Sequence, residues 1–213
     1  FDSWQQATVS SDRIRALLDE PTTVPDTGTT PHASDAARGP LSLDDVTFSY
    51  SARPDSRDSR DSTDAAEPTS ASPVALSDVT VTFQPGETVA LVGATGAGKS
   101  TVVKLLARFY DPVTGAVTAS GTDVREFPLP DWRRALAQVP QESYLFPGTV
   151  ADNIAYGAPD ASEADIEDAV RRIGALGIIA AIPGGFNHRV GERGRGLSSG
   201  QRQIIALARA EML

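Results

Sequence analysis

The most specific chemistry in this 213-residue chain lies in one run, Gly93-Ala94-Thr95-Gly96-Ala97-Gly98-Lys99-Ser100. It fills every fixed position of the phosphate-binding pattern G-x-x-x-x-G-K-[ST]. Glycines let the backbone curl so that successive N–H groups point into one concavity. The helix expected next adds unpaired N–H groups and a positive dipole end. Such a loop cradles β- and γ-phosphates, Lys99 brings a point charge to them, and the Ser100 hydroxyl is suited to Mg²⁺.

A second glycine-rich stretch is Gly191-Glu192-Arg193-Gly194-Arg195-Gly196-Leu197-Ser198-Ser199-Gly200-Gln201-Arg202-Gln203. It also meets the start of an expected helix. Ser198 and Ser199 offer hydroxyl donors there, which makes a second anion site distinct from the first. One chain with two half-sites implies that each ATP is completed by another copy.

Both loops need elements to hold them. Thr88 to Val92 is a short apolar run, expected to be a buried strand, and residues 101–109 have apolar residues at helical spacing. Leu41 to Tyr50 reads as a strand with Val46, Phe48 and Tyr50 alternating, and Val79, Val81 and Phe83 mark another. Gln84-Pro85-Gly86-Glu87 and Asp111 to Gly115 read as turns. Short strands follow to about Thr122, then a brief helix over 131–137 and a strand end at Gln138-Val139-Pro140. From Asp152 to about Ile182 the chain turns helical, with Ser162 and Asp165 forming a capping box. A last helix starts at Gly200. At the other end, residues 1–20 read as an amphipathic helix ended by Pro21, followed by a Thr-, Pro- and Gly-rich linker. Ser51 to Ser72 holds almost nothing that buries a core and reads as a disordered excursion.

Composition narrows the classes. The net charge of −9 leaves no basic stripe for nucleic acid. There is no cysteine, which excludes disulfides and thiolate metal sites. No apolar run reaches transmembrane length. The chain opens on Phe1 rather than an initiator methionine, which points to a piece of something longer.

With both motifs in view, the sequence resembles the nucleotide-binding domain of an ATP-binding cassette (ABC) transporter, most like the exporter type. Leu197-Ser198-Ser199-Gly200-Gln201 is similar to the family signature L-S-G-G-Q, with Ser199 replacing the first glycine of the pair. Tyr50 resembles the adenine-stacking aromatic. Gln141, in Val139-Pro140-Gln141-Glu142, resembles the Q-loop glutamine. Phe146 to Val150 with Asp152-Asn153-Ile154 matches the run that follows it in exporters. Val190 to Gly194 resembles the X-loop, and Arg189 stands where the family often carries an acid. The arm at 1–20 resembles the segment joining an exporter's last membrane helix to its ATPase.

The resemblance implies an α/β fold: a P-loop NTPase (RecA-like) core with an antiparallel β subdomain and an inserted α-helical subdomain, the C-terminal part of the core missing. The implied domains are a linker helix over 1–24, a flexible linker over 25–40, and the nucleotide-binding domain over 41–213, with its helical subdomain at 142–185. It implies ATP and Mg²⁺ as cofactors. Tyr50, Gly93 to Ser100 and Thr101 would bind the nucleotide, with Leu197 to Gln201 contacting the ATP of the opposite copy. Ser100 and Gln141 would face the metal, and Gln141 would act in catalysis. It also implies a head-to-tail partner domain and a transmembrane domain at the cytoplasmic face of the cell membrane.

The family's Walker B aspartate, catalytic glutamate, D-loop and switch histidine are expected after the signature helix, and none follows Leu213. The chain alone is therefore expected to be inactive, as the ATPase domain of a longer exporter. His32 and His188 do not match the switch position. Leu17-Leu18-Asp19-Glu20 imitates Walker B, but its apolar spacing is helical and it precedes the phosphate loop. A competing reading is a non-hydrolysing ATP-binding module acting by interaction only. A chromosome-maintenance ATPase would need heptads between the two motifs, which are not seen. The transported compound is not encoded in these residues.

Overall fold

A computed structural model describes residues 10–11, 13–16, 18–19, 22–50 and 74–212. The segment 51–72, expected as an excursion, lies outside the described residues, as do residues 1–9 and Glu20. The described residues from 10 to 18 have helical backbone, and their apolar members Ile14 and Leu18 are exposed. The chain divides into two compact units. One comprises the chain up to residue 29 with residues 40–126; the other comprises residues 30–39 and 127–213.

The first unit is built on an antiparallel sheet. Strands β1 (Leu41–Phe48), β2 (Leu76–Phe83), β3 (Thr114–Ala119) and β4 (Thr122–Asp123) lie in the order β2-β1-β3-β4. Alternation decides the register: Leu43 faces Val81 on one side and Val117 on the other, and Leu43, Val46, Phe48 and Val117 are buried. Irregularities interrupt the β1–β2 ladder after Leu43 and after Val46. Asp45 and Asp78 adopt positive φ there, at 48° each, and their side chains accept hydrogen bonds from Thr80 and Thr47 across the ladder. Short polar side chains tolerate that backbone better than most.

The expected turn at 84–87 forms, closed by Glu87 N–H on the Gln84 carbonyl at 3.1 Å. The expected strand over Thr88 to Val92 does not. Those residues have no regular structure, and Val92 is 91% exposed. A run this apolar makes a strand only when neighbouring strands bury both faces, and among the described residues none pairs with it. The strand end expected at 138–140 fails likewise, with Val139 exposed. All pairing among the described strands is antiparallel.

The second unit is mainly helical. The stretch expected as a flexible linker contains a short helix, α1 (Ala33–Ala37), with Ala33 buried beside the helix Leu129–Arg134. Phe127 and Trp132 stack at 5.8 Å and are both buried. After α2 (Lys99–Leu106) in the first unit and α3 (Leu129–Arg134) here come α4 (Val150–Ile154), α5 (Glu163–Arg172), α6 (Leu176–Ala180) and α7 (Ser199–Glu211). They share one core that includes Leu145, Ile154, Val170, Ile179, Ile182 and Ile205. Fully burying each such side chain contributes about 1.5–3 kcal/mol. A two-strand ladder of β5 (Gly148–Thr149) and β6 (Arg189–Val190) ties the two ends of this helical region.

Three of these helices start with reciprocal capping boxes: Thr149 with Asp152, Ser162 with Asp165, and Ser198 with Gln201. The second is the one expected from sequence. Hydrogen bonds from Thr149 hold the Asp152 carboxyl below its usual range, and those from Ser162 do the same for Asp165.

Candidate nucleotide-binding elements

In the first unit the phosphate loop leads into α2. Gly96 and Gly98 adopt φ of 86° and 82°, so the loop uses two of its glycines in the left-handed region. Gly98 also solves a contact problem: a Cβ there would lie 2.6 Å from both the Ala75 carbonyl oxygen and Leu76 Cδ2. Gly98 caps α2 without a side-chain hydrogen bond, which leaves first-turn N–H groups for an anion. Lys99 Nζ donates to the carbonyls of Gly93 at 2.8 Å and Ala94 at 2.7 Å. The ammonium is thus held over its own loop by neutral acceptors, and its charge stays available. Ala94, Thr95, Ala97 and Ser100 are exposed. An anionic, phosphate-bearing ligand fits this arrangement.

Tyr50 follows β1 and is 46% exposed. Its hydroxyl shares a hydrogen bond with the buried Thr101 Oγ1 at 3.0 Å. Its ring meets Phe48 and Tyr110 edge-on at 4.9 and 5.2 Å, and Lys104 Nζ lies 5.2 Å from the ring centre. The aromatic is therefore fixed to the first turn of the phosphate-loop helix by contacts that do not use its whole surface. If it stacks on a base, Tyr50→Ala weakens ATP binding by about 1–3 kcal/mol. Tripolyphosphate, which has no base, should bind unchanged. Isothermal titration of both ligands checks this, and equal losses for the two would remove stacking from the account.

In the second unit Ser198 is the N-cap of α7. Its Oγ accepts from Gln201 N–H at 3.2 Å, while Gln201 Oε1 accepts from Ser198 N–H at 2.8 Å. The hydroxyl hydrogen of Ser198 is not spent in this box. Leu197 is buried and anchors the turn, whereas Ser198, Ser199 and Gly200 are exposed. Ser199, which replaces a glycine of the signature, occupies the first helical position. Among the described residues, a Cβ at Gly200 would meet only Ser198 Oγ, at 4.0 Å.

Gln141 is exposed and shares a cleft of about 930 Å³ with Ser199, Leu197, Arg202 and Gln203. The structure thus brings Gln141 and the Leu197–Gln201 turn together within one unit, which linear spacing did not reveal. Among the described residues no group of three or more His, Asp or Glu could hold a metal. The expected metal-facing residues, Ser100 and Gln141, belong to different units.

Sequence reasoning missed Arg209 altogether and gave Asn153 no role. Asn153 is buried, and Arg209 is half-buried on the core-facing stripe of α7. A cation at helical spacing from Ile205 and Met212 was the available signal.

A glycine loop that opens a helix with a lysine over its mouth defines a P-loop nucleotide-binding domain. The comparisons narrow this class. Residues 76–213 match the ABC transporter family. The chain is 41% identical, over its whole length, to a multidrug efflux ATP-binding/permease protein of Mycobacterium bovis, of which it covers 16%. It is 41% identical over 97% of its length to an ATP-dependent lipid A-core flippase of Chromobacterium violaceum, covering 32% of that protein. Its fold is similar to a bacterial Atm1-family ABC exporter solved with ATP bound, with a TM-score of 0.78, 32% identity, and 98% of this chain and 33% of the other covered. The chain belongs to the ABC transporter family and carries its ATP-binding domain. It spans between a sixth and a third of the length of these relatives.

Proposed function

We propose that the chain is the ATPase domain of an ABC exporter and acts as part of a longer membrane protein at the cytoplasmic face. What supports this reading is that one chain carries two loops that open helices and offer hydrogen-bond donors, the Lys99 loop and the Ser198 turn, in different units. Each is half a site. A second nucleotide-binding domain, arranged head-to-tail, completes both: the Lys99 loop of one copy faces the Ser198 turn of the other.

Within this reading Tyr50 stacks the base. Gly93 to Ser100 and Thr101 hold the phosphates through N–H groups, the Lys99 ammonium and hydroxyls. Ser100 and Gln141 face Mg²⁺, which would supply charge neutralisation between the phosphates. Ser198 donates its free hydroxyl hydrogen to the γ-phosphate from the opposite side, and Gly200 leaves room for that approach. Closure of the pair drives the transmembrane part, and hydrolysis resets it.

Residues 1–213 contain no cysteine, so within this stretch the only thiols in a disulfide test are the introduced ones. In the full-length protein, Thr95→Cys on one copy and Ser199→Cys on the other should cross-link when ATP and Mg²⁺ are present and not without them. ATP binding with neither cross-linking nor turnover in the full-length protein would instead favour a non-hydrolysing binding module.

A further inference from the structure

The segment after Gln141 is held by an unusually complete set of bonds. Asn153 accepts from Phe146 N–H at 2.8 Å through Oδ1, and its Nδ2 donates to the carbonyls of Phe146 and Thr149 at 2.9 Å each. Arg209, on α7, donates from Nη2 to the same Oδ1 at 3.1 Å. Both donors and both acceptor sites of the amide are therefore used. Arg209 also donates to the carbonyl of Asn153 at 2.8 Å and to that of Tyr144 at 3.3 Å. Its guanidinium carbon lies 5.7 Å from the Phe146 ring centre and 5.5 Å from that of Tyr156, and these two rings stack at 4.3 Å.

The tie has a sharp upstream limit. Leu145 is fully buried and Tyr144 offers its carbonyl to Arg209, but residues 136–142 have no regular structure and residues 137–142 are exposed. Ser143 Oγ, between the two stretches, is buried and finds no hydrogen-bond partner among the described residues. Bonding on one side and, among the described residues, none over 137–142 on the other mark where the backbone is free to turn.

We propose that Asn153 and Arg209 are positioning residues that fasten residues 144–149 to the helix starting at Ser198, so that the Gln141 loop hinges between Leu136 and Ser143. Residues 144–149 and α7 then move as one body, and Gln141 rides on the free side of the hinge. The tie thus couples residues 144–149 to the Ser198 turn, beside the cleft that Gln141 and Ser199 share. The turnover consequences rest on the proposed ATPase function; the mechanical tie does not.

Pairs of spin labels in the full-length protein test it, at 147 with 207 across the tie and at 142 with 207 across the hinge. The 147–207 distance should stay single and narrow with and without ATP and Mg²⁺, while the 142–207 distance changes with nucleotide. Arg209→Met keeps the packing and removes the donors. It should broaden the 147–207 distribution and lower kcat roughly tenfold, the scale of one charged hydrogen bond, with KM for ATP within about twofold. Arg209→Lys keeps the charge without the planar fork and should behave like Arg209→Met, which covers the case in which the methionine variant does not fold. Asn153→Asp sets a carboxylate oxygen against two carbonyls and should broaden the same distance. A 147–207 distribution still narrow in Arg209→Lys and Asn153→Asp overturns the proposal. So does a fall in stability that leaves the KM-to-kcat balance untouched. If the wild type turns over no ATP, the function fails, while the distance widths without nucleotide still decide the tie.

Discussion

Lys99→Ala in the full-length protein is expected to lower ATP turnover at least a hundredfold and to weaken ATP binding clearly, with little change in melting temperature. The side chain is held by the carbonyls of Gly93 and Ala94 at 2.8 and 2.7 Å, and among the described residues no carboxylate pairs with it. Its removal therefore breaks no ion pair, and the folded state loses only two exposed hydrogen bonds. The ligand loses much more. A unit charge about 4 Å from a phosphate oxygen is worth about 4 kcal/mol at the effective dielectric of a protein surface, and the transition state for phosphoryl transfer concentrates charge on the same oxygens. Lys99→Arg keeps the charge but not the compact ammonium that fits over the two carbonyls, so it should rescue binding in part and turnover poorly. Unchanged turnover in Lys99→Ala, measured beside a thermal melt, would remove the central claim about this loop.

The second large effect concerns Gly98. Gly98→Ala should destabilise the first unit and abolish nucleotide binding, whereas Gly96→Ala should be tolerated far better. Both glycines have left-handed backbone, at 82° and 86°, and each substitution costs about 1–2 kcal/mol for that conformation. They differ in their surroundings. A Cβ at Gly98 meets the Ala75 carbonyl and Leu76 Cδ2 at 2.6 Å, while at Gly96 no atom of the described residues lies within 4 Å. The Ala75 oxygen belongs to backbone, since Ala75 N–H is bonded to the Phe48 carbonyl at 2.8 Å, so it yields only if the start of β2 moves. Chemical denaturation of the two variants, with ATP titration of each, separates conformational cost from steric cost. Equal losses at the two positions would mean that contact with Ala75 and Leu76 is unimportant.

The comparison of these two glycines shows how far the sequence could be read. The pattern G-x-x-x-x-G-K-[ST] demanded Gly98 but gave no reason beyond loop geometry. The actual reason is a strand edge more than twenty residues upstream in the chain. Likewise Ser162 with Asp165 was legible as a cap because all its partners lie within four residues. The match of Asp152-Asn153-Ile154 to exporters was legible too, yet the burial of Asn153 and its bonds to Phe146, Thr149 and Arg209 were not, because the last of these is 56 positions away.

The misreadings share one cause. Thr88 to Val92 has strand composition, but its state depends on neighbours that no local window contains, and among the described residues it finds none. The stretch 25–40 looks like a linker by composition, but one small residue, Ala33, finds a buried place beside α3.

By itself, then, the sequence determined the two glycine-rich loops, the family they signal and the Ser162–Asp165 helix cap, since each is set by residue types within a few positions of one another. Only the tertiary structure decided that Tyr50 is pinned to Thr101, that Gln141 and Ser199 line one cleft, and that Arg209 locks the chain after Gln141. Those are contacts between groups far apart along the chain, and their geometry is fixed by burial and hydrogen-bond satisfaction rather than by local preference.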